Sequence, residues 1–394
     1  MELAPRFLKH PSDESFFLFG ARGTGKSTWC LQEYSNAARL DLLAPDVLRA
    51  YTAKPERLKE YTLGQPDGAT IIIDEVQKAP ELLSVVHSIM ELKLGYKFIL
   101  TGSSSRKLKQ TGVDMLAGRA LLRIMHPFMA GELGKHFSLD TALEQGMLPV
   151  VWDSSAPSDV LKSYVGIYLR EEVMMESLVR NLGNFSRFLE AVSFSHGQVL
   201  NISNVARECS VQRKSVEGYI SILEDLLLAS RVPVFKRRAK RAVTGHPKFY
   251  YFDTGVFRSL RPKGPLDRLE EINGAALEGL IFQHLKAWSD YRGQDVKLYY
   301  WRTRSGTEVD FILYGTGCFR AIEVKNTAEI RSGDLKPLKS FRDDYPECMP
   351  LMLYRGTSSM VIDGILCMPV YRFLQELHPD KGLPQRHSLS ASSF

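Results

Sequence analysis

Cysteine is scarce and scattered. The five residues Cys30, Cys209, Cys318, Cys348 and Cys367 include no C-x-x-C pair. That excludes a disulfide framework and a zinc ribbon, and it points to reduced thiols. No apolar run approaches the ~20 residues that a membrane-spanning helix needs. The opening Met-Glu-Leu-Ala-Pro-Arg lacks the apolar core of a signal peptide, so a cytoplasmic location is expected. Neither sign of charge dominates: 51 Lys and Arg against 45 Asp and Glu leave +6, which permits nucleic acid binding without demanding it. At 394 residues, 44% apolar and 24% charged, the chain has room for two or three globular domains.

What is present is more specific. Residues 20 to 27 read Gly-Ala-Arg-Gly-Thr-Gly-Lys-Ser after the apolar run Phe16 to Phe19. This is a G-x-x-x-x-G-K-S phosphate loop between a buried strand and a helix. Gly20, Gly23 and Gly25 permit the tight turn, because glycine tolerates positive φ. A helix opening near Lys26 aims free N–H groups at a bound polyphosphate. With Thr24 and Thr28 these residues form the expected ATP site. Lys26 is expected to reach the β and γ phosphates, and the Ser27 hydroxyl to bind Mg²⁺. Residues 70 to 75, Thr-Ile-Ile-Ile-Asp-Glu, supply the partner strand. Asp74 is expected to hold Mg²⁺ through water, and Glu75 to polarise the attacking water.

A third strand, Tyr96 to Leu100, runs into Thr101-Gly-Ser-Ser-Ser105. Ser103 at its tip is the candidate γ-phosphate sensor, a Gly/Ser turn being the plainer reading. Arg119, in Leu-Ala-Gly-Arg-Ala, opens another apolar strand and is the candidate arginine finger acting in trans, with Arg123 as its rival.

The chain divides into five stretches. Residues 1–135 alternate strands (16–20, 39–43, 70–74, 97–101, 119–125) with helices, as an α/β nucleotide-binding domain with a mostly parallel sheet does. Residues 136–195 read as a helical lid, with Leu161, Val165, Tyr168, Leu169 and Val173 on one face of a helix. Residues 196–265 suggest a winged helix-turn-helix: a short helix from Ser203, a turn with Ser210 as N-cap, a helix from Arg213 to Ala229, and strands at 232–235 and 249–252. Arg213 and Lys214 open the second helix. Lys236, Arg237, Arg238, Lys240 and Arg241 crowd the hairpin tip, where a wing meets phosphates. Residues 266–376 form a second α/β unit, with Arg302 and Arg304 as further phosphate contacts. Residues 377–394 read as a disordered tail.

In the second α/β unit a Gly-Thr-Gly turn brings Asp310 opposite residue 322 or 323. Glu323 and Lys325 share a face, and Glu278 on the preceding helix adds a third carboxylate. Such a set suits metal-assisted phosphodiester hydrolysis with Mg²⁺, or alternatively Mn²⁺. Spacing alone favours a surface hairpin whose Glu and Lys pair with each other.

The phosphate loop, Ile71-Ile-Ile-Asp-Glu-Val-Gln77, Phe98-Ile-Leu-Thr-Gly-Ser-Ser104, Leu116-Ala-Gly-Arg-Ala120, Tyr251-Phe-Asp-Thr-Gly-Val256, Val309-Asp-Phe-Ile-Leu313 and Ile322-Glu-Val-Lys325 together resemble one family. It is a family of prokaryotic AAA+-type P-loop ATPases with a winged helix and a C-terminal PD-(D/E)XK nuclease-like domain of uncharacterised function. The resemblance spans about residues 10 to 372. It implies a P-loop AAA+-like ATPase domain, a winged helix-turn-helix and a restriction-endonuclease-like α/β domain. It implies that Lys26, Ser27, Asp74 and Glu75 carry the ATP chemistry, that Asp310, Glu323 and Lys325 match the nuclease-like triad, and that Glu278 matches its helix acid. The function expected is ATP hydrolysis that drives remodelling, translocation or metal-dependent cleavage of DNA, in a ring or partial ring that forms with ATP. The alternative is an ATP-dependent switch or scaffold whose last two modules serve only binding.

Overall fold

The structure is a computed structural model that describes every residue except 1–3, 12, 104–115, 176–180, 238–244, 266, 294 and 386–394. Five parallel strands open the chain: β1 (Ser15–Phe19), β2 (Ala38–Asp41), β3 (Thr70–Asp74), β4 (Lys97–Gly102) and β5 (Ala120–Ile124). Their order across the sheet is β2-β3-β4-β1-β5. The apolar runs form strands because both faces are covered. Phe17, Phe19, Ile71, Ile73, Phe98 and Leu100 enter one core, while Phe16, Leu18, Ile72 and Ile99 enter another. That is the period-two alternation of a strand. Placing β4 between β1 and β3 brings the ends of all three strands to one rim, and it opens a crevice there.

The stretch expected to be a helical lid is broken. Helices run Leu139–Gln145, Pro149–Trp152, Pro157–Ser163, Leu169–Met175 and Leu182–Ser193. Pro149 and Pro157 each start a helix, as proline at the first helical position does. A π-helical turn, Tyr164–Tyr168, follows. Its wider turn rotates the stripe: Leu161, Tyr164, Leu169 and Val173 are buried, Val165 is half-buried and Tyr168 is exposed.

Next come β6 (Gln198–Val199), helices Ile202–Glu208 and Arg213–Asp225, β7 (Ala229–Val232) and β8 (Lys248–Tyr251), with sheet order β6-β8-β7. The second helix ends at Asp225 rather than Ala229, and Leu227 has φ 58°. Ser210 has φ 54° within the turn, and Gln212 stands at the cap position; a left-handed residue cannot be the extended N-cap. The strand expected at 232–235 ends at Val232. Beyond it, Val234 bridges Tyr300, and the Phe235 N–H donates to the Tyr300 carbonyl at 2.7 Å.

The last unit carries helix Leu269–Tyr291, β9 (Val296–Arg302), β10 (Glu308–Gly315), β11 (Cys318–Lys325), β12 (Met349–Tyr354), β13 (Met360–Ile362) and β14 (Ile365–Pro369). The sheet order is β13-β14-β12-β11-β10-β9, with β9, β10 and β11 antiparallel and β11, β12 and β14 parallel. One core runs through the helical stretch, the three-stranded sheet and this unit; Tyr250 stacks on Phe282 with ring centroids 4.4 Å apart. The expected disordered tail is corrected for residues 377–385. Leu377 and Leu383 are buried in that core, and the Trp288 indole N–H donates to the His378 carbonyl at 3.1 Å. Apolar burial and a satisfied indole order this segment.

Candidate functional site

β1 delivers the chain to the phosphate loop, and helix Lys26–Glu33 leaves it. Gly23 (φ 80°) and Gly25 (φ 90°) adopt the left-handed backbone that glycine alone takes without strain. Lys26 folds back, its Nζ donating to the carbonyls of Gly20 at 2.7 Å and Ala21 at 3.2 Å. Burial lowers its pKa, so an anion that restores its charge balance is favoured here. Thr24 does not face the cleft as expected. Its hydroxyl donates to the Ala21 carbonyl at 2.8 Å and it is fully buried, so it braces the loop. Arg6, which the motifs did not single out, donates to the Thr24 carbonyl at 2.8 Å and the His126 carbonyl at 2.5 Å.

Lys26, Ser27, Thr28, Glu75, Gln77 and Ser103 line one cleft of about 350 Å³, within the size range of small-molecule sites. Asp74 is buried at the end of β3 and accepts from Arg39 Nη2 at 2.7 Å and from the Thr101 hydroxyl. Glu75 follows with φ 61°, a strained geometry for glutamate that turns its side chain away from the strand line. Gln77 Nε2 donates to the Glu75 carboxylate and to Ser103 Oγ at 3.2 Å. Gly102 makes room for this: a Cβ there would stand 2.5 Å from Gln77 Oε1. Ser27 lines the cleft, and the buried Asp74 immediately precedes Glu75, which also lines it; these hard oxygen donors are of the type that Mg²⁺ takes.

The helical stretch covers the loop from the other side. Tyr164 Oη donates to the Arg22 carbonyl at 2.9 Å, and the Arg22 guanidinium lies 4.4 Å from the Tyr168 ring centre. Glu172 completes the lining, 3.8 Å from Arg22 Nη1. Burial first, then the neighbouring Glu75 charge, raises its pKa. An acid that faces a phosphate site was not legible from the motifs. Arg119 pairs with Glu91 at 2.7 Å just before β5, which runs parallel to β1 from Ala120 beside Ser15 to Ile124 beside Phe19. It therefore lies at the far end of the sheet from its own phosphate loop. Arg123 is four residues nearer, in the exposed edge strand.

The second candidate centre departs from its expectation. Phe311 pairs with Ile322 across the hairpin, which sets Asp310 opposite Glu323. Into this set comes Lys248 from β8, 1% exposed. Its Nζ lies 2.9 Å from Glu278, 2.5 Å from Glu308 and 3.2 Å from Asp310. Tyr250 Oη donates to Glu278 at 2.5 Å, and Lys325 Nζ donates to Glu323 Oε1 at 2.7 Å. Burial, with the Asp310 charge next, raises Glu278 to about 7. The metal reading of Glu278, Asp310 and Glu323 does not fit this geometry: ammonium groups hold the carboxylates. Among the described residues no group of three or more His, Cys, Asp or Glu is arranged to take a metal ion.

The basic residues fall in two places. Arg213 and Lys214 are exposed at the start of their helix, and Arg213 pairs with Glu217 at 3.0 Å. Lys236 and Arg237 are exposed beyond the Val234–Tyr300 bridge, whose parallel direction carries Lys236 toward Arg302, while the Arg237 guanidinium lies 4.7 Å from the Tyr314 ring centre. Arg302 lies 3.4 Å from Glu308, and Arg304 is exposed. Arg238, Lys240 and Arg241 lie outside the described residues. Among the described residues no helix is long and apolar enough to cross a membrane.

Comparison with known proteins places three families along the chain. Residues 136–267 match a domain of unknown function, DUF8612, and residues 273–373 match another, DUF4143. An uncharacterized protein of Mycobacterium tuberculosis and one of Mycobacterium bovis are each 27% identical over 267 residues, or 66% of this chain and 59% of theirs. The chain thus spans well under two thirds of the relatives it matches. A signal-transduction ATPase with numerous domains and a tetratricopeptide repeat sensor, from Pyrococcus horikoshii, covers 72% of this chain and 46% of its own at 13% identity. Its TM-score is 0.19. The phosphate loop, the Asp74–Glu75 strand and the parallel sheet all lie within residues 12–134, and these residues match the AAA domain: the chain carries a P-loop domain of the AAA ATPase type.

Proposed function

We propose that this protein binds and hydrolyses ATP and uses the cycle to act on DNA. The observation that carries the reading is the convergence of Lys26, Ser27, Glu75 and Ser103 on one cleft. The loop N–H groups, the helix end and Lys26 would cradle the phosphates. Ser27 and Asp74 would hold Mg²⁺, which would offset charge on the phosphate oxygens. Glu75, steered by Gln77, would orient the attacking water, with Ser103 beside it. Arg119 would serve a neighbouring subunit, because it lies far from its own loop. Size measurement with and without a non-hydrolysable ATP analogue tests this, and an unchanged mass would remove the ring.

Glu172 faces the same phosphates, and its charge opposes them. Glu172→Gln is expected to tighten ATP about fivefold, roughly 1 kcal/mol for solvent-screened charges in an open cleft, and to change ADP less. Competition titrations with both nucleotides measure it. Equal effects on the two would place Glu172 away from the γ-phosphate.

For DNA, the reading rests on the exposed Lys236 and Arg237 on the last domain's sheet, with Arg213 and Lys214 opening the second helix of a winged helix-turn-helix. The double change Lys236→Glu, Arg237→Glu is expected to weaken duplex binding at every sequence and to lower the salt slope by about 2. Anisotropy titrations across salt concentrations read both. An unchanged slope would favour the switch or scaffold reading. Cleavage is not part of the proposal, because the carboxylates it needs are held by Lys248 and Lys325.

A further inference from the structure

We propose that the Lys248 ammonium is the resident cation of the Glu278, Glu308 and Asp310 carboxylates: a lysine from the three-stranded sheet stands where a divalent metal would, and it locks the last domain to that sheet. An ammonium has three N–H donors. Three carboxylates converge on this one, at 2.9, 2.5 and 3.2 Å, from helix Leu269–Tyr291 and strand β10. All three donors therefore have partners, in a place where Lys248 is 1% exposed. A buried ammonium without partners would be costly there, and so would the carboxylates without it.

Further donors hold most of the remaining oxygens. Tyr250 Oη donates to the same Glu278 oxygen at 2.5 Å, the Val324 N–H donates to Asp310 Oδ2 at 2.9 Å, and Arg302 stands 3.4 Å from Glu308 Oε2. Glu323 keeps one buried oxygen, Oε2, without a partner. A hard cation seated here would have to share or displace the ammonium that already neutralises the carboxylates, because Glu278 Oε1, Glu308 and Asp310 Oδ1 all turn to Lys248 Nζ. Lys248 and Tyr250 both belong to β8, so the lock joins that strand to the carboxylate set. This inference is independent of the ATP reading.

The test is Mn²⁺ binding to the full chain without nucleotide, followed by electron paramagnetic resonance, for wild type, Lys248→Ala, Asp310→Asn and the double variant. Wild type is expected to show no site that Asp310→Asn removes. Lys248→Ala is expected to gain one Mn²⁺ site, about tenfold tighter or more than any in wild type. Mn²⁺ should raise its melting temperature, and the double variant should lose both effects. A wild-type site abolished by Asp310→Asn would overturn the proposal, as would a folded Lys248→Ala that gains none. If Lys248→Ala unfolds in chelator, the charge-neutral pair Lys248→Met, Asp310→Asn decides: it should melt above Lys248→Met alone, and a pair that melts no higher overturns the lock.

Discussion

Lys26→Ala is expected to cut ATP turnover by about 100-fold or more, with the melting temperature almost unchanged. The first half follows from position. Lys26 is the buried cation of the cleft, whereas Lys78 in the same lining is exposed and Arg22 is drawn onto the Tyr168 ring and toward Glu172. The second half follows from burial. The ammonium is 7% exposed, and burial is the largest influence on its depressed pKa. Removing it relieves that desolvation, which offsets the lost bonds to the Gly20 and Ala21 carbonyls. Phosphate release and a thermal melt on the same preparation check both halves. Turnover retained in the variant would end the ATPase reading. Glu75→Gln should separate the two roles, with nucleotide bound as in wild type and turnover lowered about 100- to 10,000-fold.

Asp253→Ala is expected to cost about 2 kcal/mol at pH 7 and about 1 kcal/mol more at pH 5. Asp253 caps helix Thr254–Leu260 through the Val256 N–H at 3.0 Å, and it accepts the Met147 N–H at 2.7 Å. It thereby fastens the helical stretch to the chain after β8. The neighbours are shaped to it: a Cβ on Gly146 would stand 2.1 Å from Asp253 Oδ1, and one on Gly255 would stand 2.2 Å from the Gln145 carbonyl. Alanine leaves two buried N–H groups unpaired. Burial outweighs those N–H bonds and pushes Asp253 up from 3.8 to about 6. The folded protein therefore holds this proton at a pH where the unfolded chain has released it. The proton-linked part of the stability that Asp253 contributes is full below about 3.8 and is lost as pH rises through about 6, which leaves the part that comes from the two N–H bonds. Urea unfolding of wild type and variant at both pH values checks the sign. A gap that narrows on acidification would mean that the carboxylate is better stabilised when ionised.

Short-range features were read closely. The strand expected at 16–20 is Ser15–Phe19, and the one at 70–74 is Thr70–Asp74. Continuous apolar runs ending in glycine or paired acids leave few alternatives. Helix ends are less legible, because Ser210 has the side chain of a cap and the backbone of a turn. The helical stripe predicted at 161–173 fails at Tyr168, where a π-helical turn breaks the 3.6-residue period, while Leu169 and Val173 beyond it are buried. In the nucleotide cleft the motif residues were legible, while their supports were not. Arg39 and Thr101 reach Asp74 from 35 and 27 residues away, across neighbouring strands. Periodicity along the chain carries no information about register between strands.

The amino-acid sequence by itself determined the parallel α/β sheet, the phosphate loop and the pair of acids after β3. Each of these is written within a few residues, and local geometry forces the rest. Only the tertiary structure decided what the second carboxylate cluster is. Lys248 lies 30 residues from Glu278 and 62 from Asp310, and in sequence it is an ordinary lysine at the start of a strand. Packing the two sheets into one core buried it among three carboxylates, and in a place of low dielectric the nearest cation governs what those carboxylates can bind.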